Sequence, residues 1–303
     1  MINKPTRRAF LKRGLAAAAV TGLASTQTAQ AVAPMKRPYG AHLKLSCSAY
    51  GYRKYLSGKN KSMTILGFLE ECAKLGLDAA EPTSYYFPSD LNEEYLLQFK
   101  RHAFMLGLDI SGTAIGNTFT HDPGPERDKQ LALCNRWVDN AAIMGAPVIR
   151  IFAGRVPKGM SENKAIANAI ETTKIACEYA ASKGVILALE NHGGIVAKPE
   201  PMLDIIHGVD SEWFGVNFDS GNFHADDPYA ELEKIAPYTV NAQIKIEMRH
   251  GGKKTPADFE KIARILADAG YRGYVALEYE GSEEPKEAIP VYIEKLRKAL
   301  ETV

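Results

Sequence analysis

The stretch Gly184–Gly194 reads GVILALENHGG and decides the fold. A glycine ends a helical pattern. Five apolar residues follow without a polar break, and the run stops at Glu190, Asn191 and His192 before two further glycines. A strand with one wet face alternates apolar and polar residues. A short continuous apolar run instead suits a parallel strand covered on both faces.

The same joint recurs along the chain. Gly76 (KLGLDAAE), Gly107 (MLGLDIS), Gly145 (IMGAPVIRIF), Gly184 (SKGVILALE) and Gly270 (DAGYRGYVALE) each close a helical pattern and open a strand-like run. Glycine just past a helix end accepts the left-handed backbone that such an end adopts. The helical halves show their period: Ile65, Leu69, Cys72 and Leu75 share one face, as do Ile166, Ile170, Cys177 and Ala181. Strands are predicted near 42–47, 78–82, 108–113, 147–152, 185–190, 214–219, 240–244 and 274–278. Alternation of these strands with helices, ending on a helix, predicts a single α/β domain over residues 34–303, a (β/α)₈ TIM barrel. A doubly wound open sheet is the alternative, but SCSAYGYRKY after the first strand holds no GxGxxG phosphate fingerprint.

Residues 1–33 belong to export rather than to the fold. TRRAFLK at Thr6–Lys12 supplies a basic start, Gly14–Ala24 is small and apolar, and Ala29-Gln30-Ala31 and Ala31-Val32-Ala33 are small-x-small cleavage patterns. Arg7-Arg8 with Phe10, Leu11 and Lys12 resembles the twin-arginine signal, which implies a folded passenger, the twin-arginine export machinery as partner and a periplasmic destination. The apolar run is too short for a membrane anchor. Its removal takes five basic residues and no acid, leaving 32 basic against 36 acidic residues. That balance disfavours nucleic acid and other polyanions. Cys47, Cys72, Cys134 and Cys177 are widely spaced in apolar patterns and are expected to be buried free thiols.

Chemistry on such a barrel sits where strands end. Strand five ends at Glu190, strand six at Asp219 (GVNFDSGNFH), strand seven carries Gln243 (VNAQIKIEMRH), and strand eight ends at Glu278 (VALEYEG). Three carboxylates aimed at one pocket repel one another and raise each other's pKa. A divalent cation removes that penalty; oxygen donors favour Mn²⁺ or Mg²⁺, with Co²⁺ and Zn²⁺ also accepted. The plainer alternative is a set of strand ends paired with Arg150, Lys245 and Arg249.

The motifs LALENH, FDSGN, QIK and VALEYE, with LDAAEPTSYYFP at strand two, resemble those of the sugar phosphate isomerase/epimerase proteins with a xylose isomerase-like barrel, over roughly residues 40–300. The resemblance implies one metal held by Glu190, Asp219, Gln243 and Glu278, with Gln243 standing where the family usually has His. It also puts Asn222 where the ketose epimerases carry a substrate-binding His, and matches their substrate-binding Arg with Arg249.

The implied chemistry is metal-dependent removal of the proton beside a sugar carbonyl, the divalent ion stabilising the enediolate and Glu190 and Glu278 serving as base and acid. Return to the other face is epimerisation, return to the next carbon is isomerisation, and loss of a β-leaving group is a lyase or hydratase reaction on 3-keto sugars or glycosides. A non-catalytic periplasmic sugar-binding protein would need no such carboxylate set. Around the pair, Glu81, Tyr85, His192 and Lys245 are candidate substrate contacts. Arg150, alternating with apolar neighbours in VIRIF, either binds substrate or neutralises Glu81. The aromatic residues Tyr85, Tyr86 and Phe87 either stack on a sugar or cap the barrel. Assembly into an oligomer is left open.

Overall fold

A computed structural model describes residues 33–35, 37–59 and 61–303. The export segment expected over 1–33 thus lies, but for its last residue, outside the described residues. In chain order the strands are β1 (His42–Ser48), β2 (Ala79–Glu81), β3 (Asp109–Ile110), β4 (Thr113–Ala114), β5 (Val148–Ile151), β6 (Ile186–Glu190), β7 (Phe214–Asp219), β8 (His224–Ala225), β9 (Thr239–Lys245), β10 (Glu247–His250), β11 (Lys253–Pro256) and β12 (Arg272–Glu278). The helices are α1 (Arg53–Leu56), α2 (Ile65–Lys74), α3 (Glu93–Met105), α4 (Pro125–Met144), α5 (Glu162–Lys183), α6 (Pro199–Val209), α7 (Pro228–Ile235), α8 (Phe259–Asp268) and α9 (Pro285–Leu300).

The main sheet runs β3-β2-β1-β12-β9-β7-β6-β5-β4, every neighbouring pair parallel. This is the predicted (β/α)₈ barrel, nearly closed. Its one seam lies within the third expected strand, which is split into β3 and β4. Ser111 and Gly112 carry the chain across: Ser111 N–H still bonds Ala80 O on the β2 side, while Ile115 N–H bonds Arg150 O on the β5 side. The crossing is tight. A Cβ on Gly112 would stand 2.8 Å from Val148 Cγ1 and 3.2 Å from Val148 O, so only glycine fits.

Local signals explain most element ends. Thr64, Asn92, Ser161 and Asp258 accept backbone N–H bonds at the starts of α2, α3, α5 and α8. Gly184 closes α5 in the left-handed conformation and hands the chain to β6. The core fills the layer between strands and helices, with Phe68, Phe99, Val138, Ile205, Leu266 and Ile289 all buried. The four cysteines are free and buried, as expected.

A second, three-stranded sheet, β11-β10-β8, was not expected. β10 and β11 form an antiparallel hairpin in which His250 pairs Lys253, so its turn is Gly251-Gly252. The signal was present: a Gly-Gly pair between short runs marks a two-residue hairpin. Among the described residues no helix is long and apolar enough to cross a membrane.

The glycine pair after Glu190 is a test of this architecture. Gly193 has φ 61° and ψ −153° with open space at its Cβ position, whereas a Cβ on Gly194 (φ +57°) would lie 2.2 Å from Gly154 O. Gly193→Ala is expected to cost about 1–3 kcal/mol through its backbone angles alone. Gly194→Ala is expected to cost more, because two backbones must separate. Chemical denaturation measures both, and an equal or smaller loss at Gly194 would contradict the packing.

Candidate active site at the barrel mouth

Polar residues two apart on one strand share a face. On β7 these are Asn217 and Asp219; on β9 they are Asn241, Gln243 and Lys245. All are buried. The lower members close a ring inside the barrel. Gln243 Nε2 donates to Glu81 Oε1, Asn217 Nδ2 donates to Gln243 Oε1 at 2.7 Å, and Asn241 Nδ2 donates both to Asn217 Oδ1 and to Glu81 Oε2 at 2.8 Å. The Glu81 carboxylate accepts only, so it sets the direction of every amide in the ring. Glu81 thus points into the barrel rather than toward a substrate. Gln243 has both ends of its amide engaged.

The upper members surround Glu190. Arg150 Nε lies 2.9 Å from Glu190 Oε2, as a close ion pair rather than an aligned hydrogen bond. Its Nη1 donates to Ile115 O at 2.9 Å. Arg150 contacts Glu190 rather than Glu81, while its charge still acts on Glu81 from a distance and lowers that carboxyl's proton affinity. Asn222 Nδ2 donates to Glu190 Oε1 at 2.8 Å, and Asn222 Oδ1 accepts from Lys245 Nζ at 3.0 Å. A carboxylate on one side and an ammonium on the other leave Asn222 one orientation. Lys245 Nζ also lies 3.2 Å from Asp219 Oδ2 and 3.5 Å from both Glu278 Oε2 and Glu280 Oε1.

The residues after Glu190 have separate tasks. Asn191 Nδ2 donates to Asp219 O and its Oδ1 accepts from Asp219 N, each at 2.9 Å. This two-point clamp sutures the ends of β6 and β7 and sets Asp219 beside Glu190. His192 stacks on Phe152 at 4.4 Å between ring centres, and the Phe152 ring carries the Arg150 guanidinium at 4.0 Å. Tyr85 is half exposed at the rim, its hydroxyl against Gly116.

Burial dominates the electrostatics. Loss of solvent pushes the Glu190 carboxyl up to about 7 despite Arg150, and lifts Glu278 well above the carboxylate range despite Lys245. Glu81 is also raised by burial, against its amide bonds. The acids around Lys245 hold its ammonium charged, overcoming burial. Burial and the two nearby cations lower His192, so its imidazole is neutral at pH 7.

Two clefts open onto this cluster. One, of about 260 Å³, is lined by Asn222, Lys245, Arg249 and Glu280 beneath the β10–β11 hairpin. Another, of about 400 Å³, is lined by Phe152, Arg155 and His192. A larger cleft of about 630 Å³ lies behind the hairpin against α8 and α9, but its ionisable side chains are largely on the surface. Buried, convergent charge places the site at the barrel mouth instead.

The expected metal ligands do not fit an ion as they stand. Gln243 is committed to the ring, Glu190 has both oxygens held, and Lys245 stands between Asp219 and Glu278. Among the described residues no three His, Cys, Asp or Glu side chains gather as ligands would. Three participants were missed in the sequence: Asn217, Asn241 and the clamp role of Asn191. For Asn217 and Asn241 the signal was the two-residue spacing from Asp219 and Gln243, which puts polar groups on an inward face; the clamp made by Asn191 depends on a strand end 28 residues away and had no local signal.

Glu190 is expected to titrate near neutrality in ¹³C spectra of Glu-labelled protein, and the signal should vanish in Glu190→Gln. The folded state holds its proton more tightly than the unfolded one. That stabilising contribution is therefore complete below the ordinary carboxylate range and is lost as pH rises through about 7. Glu190→Gln should flatten this slope in denaturation midpoints; an unchanged slope would contradict the assignment.

No curated protein sequence matches the chain. Solved structures do. D-psicose 3-epimerase with D-tagatose from Clostridium cellulolyticum H10 superposes with a TM-score of 0.70 at 16% identity, covering 85% of this chain and 99% of that one. A xylose isomerase-like TIM barrel protein from Mycobacterium smegmatis in complex with magnesium gives 0.64 at 21%, covering 85% and 97%. Apo 3-keto-D-glucoside 4-epimerase from E. coli gives 0.64 at 16%, covering 85% and 100%. At these identities the likeness speaks for the fold. The family profile described as xylose isomerase-like TIM barrel matches residues 69–299 directly, and the chain belongs to that family.

Proposed function

We propose that this chain is a sugar isomerase or epimerase that moves a proton on and off the carbon beside a carbonyl. One observation carries the reading: two buried carboxyls with raised proton affinity, Glu190 and Glu278, end strands separated only by β7 and β9. The epimerase activities named for the structural neighbours support it.

The residues divide the work as follows. The Lys245 ammonium and the Arg150 guanidinium are cations in a dry site, placed to stabilise negative charge that develops on a carbonyl oxygen as the neighbouring proton leaves. One of Glu190 and Glu278 accepts that proton and the other returns one to the opposite face or the adjacent carbon. A carboxyl titrating near 7 serves both directions at neutral pH. Neutral His192, Tyr85 and Arg249 line the approaches and bind sugar hydroxyls. Glu81 and Gln243 act from beneath, holding β2, β7 and β9 in register. A divalent ion has no step in this scheme, because the side chains that would hold it are otherwise engaged.

A second reading keeps the same first step and adds loss of a β-leaving group, making the chain a lyase or hydratase on 3-keto sugars or glycosides. The two clefts support it: one reaches Glu190 through Asn222 and the other through Phe152 and Arg150, which leaves room for a group beyond the reacting ring. The twin-arginine pattern at Arg7-Arg8 supports a periplasmic destination, where free sugars and glycosides would be the fitting substrates.

Incubation with free ketoses and, separately, with 3-keto-glycosides in D₂O tests both readings. Deuterium beside the carbonyl with the skeleton kept is the expected result; elimination or glycoside cleavage would select the second reading. Glu190→Gln and Glu278→Gln should each slow exchange by about 10²–10⁴-fold while the circular dichroism stays native. Tight sugar binding with no exchange by wild type would overturn the enzyme reading.

A further inference from the structure

We propose that Lys245 is the built-in cation of this site, standing where a divalent metal would otherwise neutralise the carboxylates. The inference rests on the barrel mouth being the reactive centre, but its evidence is separate from the acid–base pair.

The ammonium lies among oxygens from four side chains. Asn222 Oδ1 is at 3.0 Å, Asp219 Oδ2 at 3.2 Å, and Glu278 Oε2 and Glu280 Oε1 at 3.5 Å. Strand register makes this a built arrangement. Lys245 is the direct partner of Glu278 across the β9–β12 pair, and Gln243 is the partner of Asp219 across β7–β9. The strand expected to deliver the fourth ligand therefore turns Gln243 into the ring and presents Lys245 one step higher on the same face.

The stem of Lys245 has its own passage. A Cβ on Gly221 would stand 2.8 Å from Lys245 Cδ, 3.0 Å from its Cβ and 2.9 Å from Glu247 O. Residue 221 must be glycine for the aliphatic chain to thread past the end of β7. Ser220 Oγ accepts the Lys245 backbone N–H at 2.9 Å and pins the start of that passage. Donor occupancy completes the case. Glu190 spends its oxygens on Arg150 and Asn222, and Asp219 Oδ1 accepts Gly221 N–H at 2.8 Å, which leaves the buried Asp219 Oδ2 with no hydrogen bond and only the Lys245 ammonium beside it. An ammonium offers three donors and a single charge, which suits acids already half-compensated by their neighbours.

The test reads metal directly and needs no substrate, so its failure is distinguishable from failure of the proposed reaction. Purified wild type should carry substoichiometric metal by elemental analysis, and its Tm should ignore both a chelator and added MnCl₂. Lys245→Met keeps the stem and removes the charge; it should gain a Mn²⁺-dependent rise in Tm and retain bound metal on desalting. Lys245→Arg keeps a charge and should show neither. One equivalent of tightly held ion in wild type, with a Tm that falls on chelation, would overturn the proposal whether or not the variants fold. A folded Lys245→Met that ignores Mn²⁺ would overturn it too.

Discussion

Four carboxylates, Glu81, Glu190, Asp219 and Glu278, are buried at one end of a parallel barrel, each with less than a tenth of its surface exposed. An isolated charge so placed is costly by many kcal/mol, and removing one partner of a buried pair typically costs about 3–5 kcal/mol. Most of the polar structure of this barrel answers that constraint. Glu81 is held by two amides and Glu190 by a guanidinium and an amide, while Asp219 and Glu278 share one ammonium. The usual TIM-barrel interior of branched apolar side chains gives way, on the inward faces of β7 and β9, to asparagine, glutamine and lysine.

That compensation is incomplete. Glu190 stays near neutrality and Glu278 well above the carboxylate range because burial outweighs the cations beside them. A fully compensated carboxylate is a poor proton carrier at pH 7, and an uncompensated one would unfold the mouth. The site sits between these limits. Asn222 couples the two halves, since it touches Glu190 with its amide nitrogen and Lys245 with its amide oxygen. The Asn191 clamp keeps the distances fixed by tying strand ends together, so the groups are preorganised by backbone rather than by loops.

The strand ends were legible because each closes a largely apolar run. Glu190 and Glu278 are the first polar side chains after ILAL and VAL, Asp219 follows GVNF with Asn217 as its one polar break, and all three lie at the mouth, as does Lys245. The third strand was not legible as two pieces. Its break depends on how closely residue 112 passes β5, a contact between segments 36 residues apart. The small β8–β10–β11 sheet had a readable turn at Gly251-Gly252, but β8 is two residues long and gains strand character only from its pairing with β10.

The sequence by itself determined the barrel, the glycine joints and the carboxylate-bearing strand ends, because these follow from local periodicity and from one repeated unit. It left open which partner each polar group would take. An amide such as Gln243 donates or coordinates with equal ease, and an arginine such as Arg150 can meet either of two acids. Only the tertiary structure decided these pairings. Barrel closure puts Gln243 over Glu81, Arg150 beside Glu190 and Lys245 between Asp219 and Glu278. Those neighbours are 162, 40, 26 and 33 residues apart in the chain and are joined only by strand register.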